Sequence, residues 1–563
     1  MQNIKNIEIP QVTKEAIEAD FIQFEKELKA VASEKELIQL YQKVLDYNDV
    51  FLSHYSITYF KYNGDLKNET YDKAYTYYLD SYPTLKSGFL KIQSHVKKSP
   101  FFEALSNLIG NNGFEELKRS REMSKEAQEI FEQIAKIEKE YDSKIGTAQV
   151  IWEGETVSLS AIYKYFMDQD RAIRKKAYDT IGTYFLEQES ELTKIFIELV
   201  KLRNAYASEL GYNNYHEYSF DLYCRIGYGA KEIDGFRNQV SKDFLGIYLT
   251  IKELRKKNLK LEHLSYYDNI NFIDGEAELK HKDIQKNISL FIELLKPFSS
   301  KWADILNEMQ DKGAIDYDIR DNKIYGGYCT YAKNYNLPII YSGLTVNNLN
   351  DIRVLSHEIG HALQMSITNS HTKYQEACLD TVEIFSHSME MSIYPYLDLF
   401  FEGNHIRKYQ LKNFIGHLNM LFDCSIDDEF QEIIYLNEEK LSSAFICNTY
   451  KKLEEKYQFV NNHEPDLFYT QGKKWLSNGH LFKYPFYMID YALAIIVALQ
   501  LYQQSLTNSE IYVQNFESLS KNIGNLSQKN ISEYSSCFSA FDFDQFKKLA
   551  QFIEETLEQM KLS

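Results

Sequence analysis

Residues Ser356-His357-Glu358-Ile359-Gly360-His361-Ala362-Leu363-Gln364 contain the pattern His-Glu-x-x-His. The residues around it, Ile, Gly, Ala and Leu, are small or apolar and suit a buried helix. On a helix, positions i and i+4 lie one turn apart on a single face, so the imidazoles of His357 and His361 can reach one metal ion. Glu358 sits beside the first of them, placed to serve a water molecule instead of the metal.

A catalytic zinc keeps three protein ligands and one open position. The third ligand must come from chain able to fold back over the motif helix. After a polar turn around residues 369–373 comes Leu379-Asp380-Thr381-Val382-Glu383-Ile384-Phe385-Ser386-His387-Ser388-Met389-Glu390. Glu383, His387 and Glu390 fall at i, i+4 and i+7, on one face of a second helix, and all three compete for the role. A carboxylate leaves the site with a lower net charge than three imidazoles would, which suits a hydrolase holding a neutral peptide.

Helical periodicity dominates the chain around these segments. Ala127, Ile130, Ile134, Ile137 and Tyr141 recur at steps of three and four between Lys and Glu, giving one apolar stripe on a charged helix. Leu192, Ile195, Phe196, Leu199, Leu202 and Tyr206 repeat the rhythm, with Gly211 just beyond as a left-handed helix end. Strand signals are few. Residues 150–157 read as a hairpin turning near Glu153-Gly154, and Leu337-Pro338-Ile339-Ile340-Tyr341-Ser342 as an edge strand, since Pro338 donates no ladder hydrogen bond. The expected class is mainly α. The hairpin is the place for a boundary near residue 146, separating an N-terminal helical lobe (1–145) from a catalytic region (146–563).

Composition narrows the function. A length of 563 residues with 44% hydrophobic residues allows a large core. A net charge of −18 repels a phosphate backbone, so nucleic acid is not an expected partner. Only 8 Pro stand against 44 Tyr and 35 Phe, which favours long helices with aromatic packing. Six scattered Cys without a CxxC read as reduced intracellular thiols. No apolar stretch reaches the roughly 20 residues of a membrane span, and the N-terminus lacks the apolar core of a signal peptide. A cytoplasmic protein without a membrane partner is expected.

The two-segment signature resembles that of the thimet oligopeptidase and oligoendopeptidase F family of zinc metallopeptidases. In that family the second segment has the form V-E-x-x-S-x-x-x-E, whose first Glu is the third zinc ligand. The resemblance thus assigns one Zn²⁺ per chain to His357, His361 and Glu383, makes Glu390 a partner that orients a ligand His, and leaves His387 to packing or to supporting the ligands. Gly326-Gly327-Tyr328-Cys329-Thr330, Pro338-Ile339-Ile340-Tyr341-Ser342 and Asp351-Ile352-Arg353-Val354-Leu355 lead into the motif as in oligoendopeptidase-like members. The likeness spans about residues 150–510. Farther on, Gly479-His480-Leu481-Phe482-Lys483-Tyr484-Pro485-Phe486-Tyr487-Met488-Ile489-Asp490-Tyr491 is similar to the family's His-and-tyrosine stretch. It departs in the spacing of His and tyrosines, and Ile489 stands where a Tyr is expected.

The resemblance implies two mostly helical lobes flanking a deep channel, a small β-sheet near the zinc site, and internal cleavage of short unstructured peptides by a zinc-activated water with Glu358 as general base. His480, Tyr484, Tyr487 and Tyr491 are candidate donors to the oxyanion. Gly326, Gly327, Ile339, Ile340 and Tyr341 are candidates for holding the substrate, the strand pairing its backbone with an extended peptide. Two alternatives stand beside this reading. One is a C-terminal exopeptidase of the same architecture, which needs a cation for the terminal carboxylate, Arg353 being considered. The other is an inactive helical peptide-binding protein.

Overall fold

A computed structural model describes residues 3–121, 124–268, 277–317, 320, 322–323, 327–343, 349–370, 374–375, 377–458 and 464–562. The first helices are α1 (Lys14–Lys29), α2 (Glu34–Gly64), α3 (Glu69–Val96), α4 (Ser106–Arg119) and α5 (Lys125–Gly146). Strands β1 (Gln149–Trp152) and β2 (Glu155–Ser158) follow, then α6 (Arg171–Glu209) and α7 (Tyr215–Leu222). Strands β3 (Ile315–Asp316), β4 (Gly327–Ala332) and β5 (Leu337–Ser342) precede α8 (Leu349–Asn369) and α9 (Leu379–Ser392). The chain continues through α10 (Asn404–Leu436), α11 (Gly479–Lys483), α12 (Ile489–Thr507) and α13 (Ser509–Lys521). The fold is mainly α.

Local chemistry sets the helix ends. Thr13, Ser33 and Asn68 stand at the N-caps of α1, α2 and α3, and each side chain accepts a hydrogen bond from a first-turn backbone N–H. Ala127, Ile134, Ile137 and Tyr141 form the buried stripe of α5, as their spacing predicts. At the end of α6, Gly211 takes φ +83°, and the Tyr212 N–H reaches back to the Ala207 carbonyl at 2.9 Å, closing the helix. The β1–β2 hairpin turns at Glu153 and Gly154, both with positive φ as a two-residue turn requires.

Packing gathers the chain into two compact units. One comprises Met1–Glu122, Glu278–Ile406 and Ile496–Ser539; the other comprises Met123–Ala277, Arg407–Ile495 and Ala540–Ser563. Both are discontinuous, and helix α5 packs on α6 within the second unit. In the first unit, Ile17, Phe21 and Phe24 of α1 meet Leu37, Tyr41 and Val44 of α2 and Tyr78, Leu85 and Ile92 of α3.

The first unit also holds a three-stranded sheet of order β3-β5-β4, with β5 antiparallel to β4 and parallel to β3. The expectation of an edge strand at Leu337–Ser342 is therefore corrected: β5 is central and every residue in it is buried. Pro338 is tolerated there for a geometric reason. The Ile340 N–H donates to Ala314 on the β3 side at 2.9 Å, and alternate residues of a strand point their N–H groups the same way. The nitrogen of Pro338 thus faces a side that β3, paired only with Ile340 and Tyr341, does not reach.

Candidate metal centre

Helices α8 and α9 build the centre within the first unit. They approach so closely that a Cβ on Gly360 would stand 2.6 Å from the Phe385 carbonyl oxygen and 2.7 Å from the Ser386 Cα. Glycine inside the His-Glu-x-x-His motif is what allows α9 to lie against the face that carries both imidazoles.

The rings of His357 and His361 stand 4.9 Å apart at 81°. Glu383 comes between them from α9, its Oε2 3.4 Å from Nε2 of His357 and 3.4 Å from Nε2 of His361. The three ligand atoms fit one ion. Atoms bound tetrahedrally to zinc at 2.0–2.2 Å stand about 3.3–3.6 Å from one another, and both separations fall in that range. Ser386, three residues after Glu383, donates to Glu383 Oε2 at 2.8 Å and fixes the carboxylate.

The far side of His357 is tied as well. Its Nδ1 lies 2.8 Å from Glu390 Oε1, so that nitrogen carries a proton and Nε2, on the Glu383 side, is the one left to bind an ion. His387 Nδ1 lies 3.3 Å from the same Glu390 oxygen, and Arg353 Nη1 lies 3.7 Å from the other one. His357, His387 and Glu390 could also be grouped around an ion. The 2.8 Å contact, shorter than two ligands of one ion keep, is a hydrogen bond between His357 and Glu390, with His387 standing beside the same carboxylate. The Nδ1 of His361 is buried and has no hydrogen-bond partner among the described residues.

Electrostatics follow from this crowding of carboxylates. Burial opposes charge on His357, but the Glu390 hydrogen bond and the Glu383 carboxylate raise its pKa to about 9. Burial also works against ionised Glu383, yet His361 and then His357 hold its carboxyl well below the usual range. Glu358, 6% exposed, moves the other way: burial raises its pKa, with the two imidazoles opposing. A carboxylate raised in this manner binds a proton more readily than an exposed one.

The remaining candidates divide. Gly327 opens β4 at an exposed position, while Gly326 lies outside the described residues. Ile339, Ile340 and Tyr341 are fully buried. Ile340 and Tyr341 are also paired on both edges, to β3 and to β4. Arg353 Nε donates to Asn350 Oδ1 at 3.4 Å, and its Nη1 stands 3.7 Å from Glu390 Oε2.

In the second unit, His480, Tyr484, Tyr487 and Tyr491 form one patch. The His480 and Tyr487 rings stack at 6.4 Å, and the Tyr487 and Tyr491 hydroxyls lie 3.3 Å apart. The sequence placed Gly360 and Ser386 inside the two signature segments without assigning either a role. Ser386 was detectable, since i+3 on a helix brings its hydroxyl back to Glu383.

Comparison with known proteins agrees with this architecture. Peptidase family M3 matches residues 165–523, and the peptidase M3 N-terminal domain matches residues 4–124. The chain belongs to peptidase family M3. It is 24% identical over 358 residues to oligopeptidase PepF of Bacillus subtilis (strain 168), and 23% identical over 362 residues to an oligoendopeptidase F homolog of Borreliella burgdorferi. Each alignment covers 62% of this chain and spans only 52% and 59% of the two relatives, respectively. A solved structure of PZ peptidase A with an inhibitor superposes with a TM-score of 0.89 at 25% identity, covering 99% of both chains.

Proposed function

We propose that the protein is a zinc-dependent endopeptidase that hydrolyses internal bonds of short, unstructured oligopeptides. The observation that carries this reading is the placement of Glu383 Oε2 3.4 Å from both motif imidazoles. Membership of peptidase family M3 supports it. His357, His361 and Glu383 would hold the ion, which when bound acts as a Lewis acid on the scissile carbonyl and the attacking water.

The chain supplies the rest. Glu358 accepts a proton from the attacking water at a carboxylate oxygen and delivers it to the leaving amine nitrogen; its burial suits that shuttle, because a raised pKa lets the carboxyl hold the proton between the two steps. Glu390 fixes the tautomer and plane of His357. The hydroxyls of Tyr484, Tyr487 and Tyr491 and the His480 imidazole donate hydrogen bonds to the oxyanion, a role resting on the family resemblance. An extended peptide would pair with β4, the outer strand of the sheet, rather than with β5. Six cysteines kept as thiols suit a cytoplasmic setting.

The test is mass spectrometry of products from a length series of peptides blocked at both ends, with and without a chelator. Internal cleavage abolished by the chelator is expected. Intact blocked peptides beside trimmed free ones would establish the exopeptidase instead.

A further inference from the structure

In the second unit, Phe486 has φ +68°, a left-handed backbone that bulky residues avoid. Its ring is fully buried against His216 at 4.9 Å and Tyr435 at 5.1 Å. Such a conformation persists only where its surroundings over-determine it, and three side chains from other elements do so here. The Phe486 N–H donates to Gln431 Oε1 of α10 at 2.8 Å. Its carbonyl accepts from Arg225 Nη2 at 2.5 Å. The carbonyl of Pro485 accepts from the Tyr223 hydroxyl at 2.9 Å.

Arg225 does more than hold one carbonyl. Its Nε donates to Asp490 Oδ1 at 3.0 Å, so one buried guanidinium binds the chain on both sides of Tyr487. Asp490 immediately precedes Tyr491. Stability alone is a poor reason for such a pair, because apolar residues of similar volume commonly do as well as a buried ion pair. What the clamp fixes is local: between and beside its anchor points stand the two half-buried phenols whose hydroxyls lie 3.3 Å apart.

We propose that Gln431, Arg225 and Tyr223 are positioning residues, locking Phe486 in its left-handed turn so that the Tyr487 and Tyr491 hydroxyls are pre-aimed for the reaction. This rests on the reading of those phenols as oxyanion donors. Donors pre-aimed at developing charge need no reorganisation during the reaction, and a small misplacement is felt in kcat more than in binding.

The test is a double-mutant cycle on an internally quenched peptide, with zinc content and thermal midpoint recorded for each variant. Gln431→Leu and Tyr223→Phe should each lower kcat about tenfold or more with KM little changed. In a Tyr487→Phe/Tyr491→Phe background the same substitutions should cost almost nothing further, an outcome that a purely structural role would not produce. Should Gln431→Leu fail to fold, Tyr223→Phe, which removes a single hydroxyl, carries the same test. A folded, zinc-replete variant with unchanged kcat, or an equal loss in the phenol-free background, overturns the proposal. If removing both phenols leaves wild-type turnover intact, or the wild type cleaves no peptide, the donor reading itself has failed and the clamp has nothing to position.

Discussion

Glu390 Oε1 lies 2.8 Å from Nδ1 of His357, on the side of the ring opposite Glu383. The contact sets which imidazole nitrogen would face a bound metal and would raise the basicity of that ligand. Partners of this kind typically contribute 10- to 100-fold to metal affinity. Glu390→Ala should weaken zinc binding by about that factor in a chelator competition, while Glu390→Gln, which can still accept the hydrogen bond, should fall between it and the wild type.

Gly360 lets the helices that carry His357, His361 and Glu383 approach each other closely. A methyl group at this position would press on the Phe385 carbonyl oxygen and the Ser386 Cα, which are backbone atoms with no rotamer to relieve the clash. Gly360→Ala should lower stability by about 1–3 kcal/mol in denaturant unfolding and loosen zinc as well, because Glu383 moves with α9. Wild-type stability in that variant would show that the helices separate freely.

Glu358 is expected to serve the proton, not the metal. Glu358→Gln should keep its zinc and lose about 10²- to 10⁴-fold in kcat. Undiminished turnover would remove the general-base role. Loss of zinc would make Glu358 part of the ligand set.

Stability should depend on pH through a buried acidic cluster in the second unit. Burial, reinforced by Asp423, raises the pKa of Asp427 from 3.8 to about 7, and Glu454 also rises to about 7. The folded state binds these protons more tightly than the unfolded chain does. Their stabilisation is therefore complete below the unfolded pKa of about 4 and is lost as pH rises through 7. Asp427→Asn, fixed in a neutral form, should unfold at a higher temperature than the wild type near about pH 8, with the difference vanishing near about pH 4. An equal effect at both values would mean that the shift is absent.

The candidate centre could be read from the sequence because its parts are local. His357 and His361 are separated by one helical turn, and Glu383 heads a second short helix whose periodicity could be read by itself. What supports them was less visible. The need for glycine at 360 appears only once α9 is packed against it. The central place of β5 depends on β3, two residues with no strand signal, and Pro338 pointed the other way because its effect depends on which side its nitrogen faces. The Arg225–Asp490 pair joins residues 265 positions apart, a separation that no periodicity encodes. Folding into discontinuous units hides such partners, whereas helix class and the position of the motif follow from composition and spacing.

The central claim is that His357, His361 and Glu383 hold one zinc on which peptide hydrolysis depends. The most direct measurement is titration of the metal-free protein with zinc, following cleavage of an internally quenched peptide. Activity should rise linearly to one equivalent per chain and then level off, with Glu383→Ala showing neither binding nor activity over the same range. Hydrolysis by the metal-free protein, or full zinc binding by Glu383→Ala, would contradict the account.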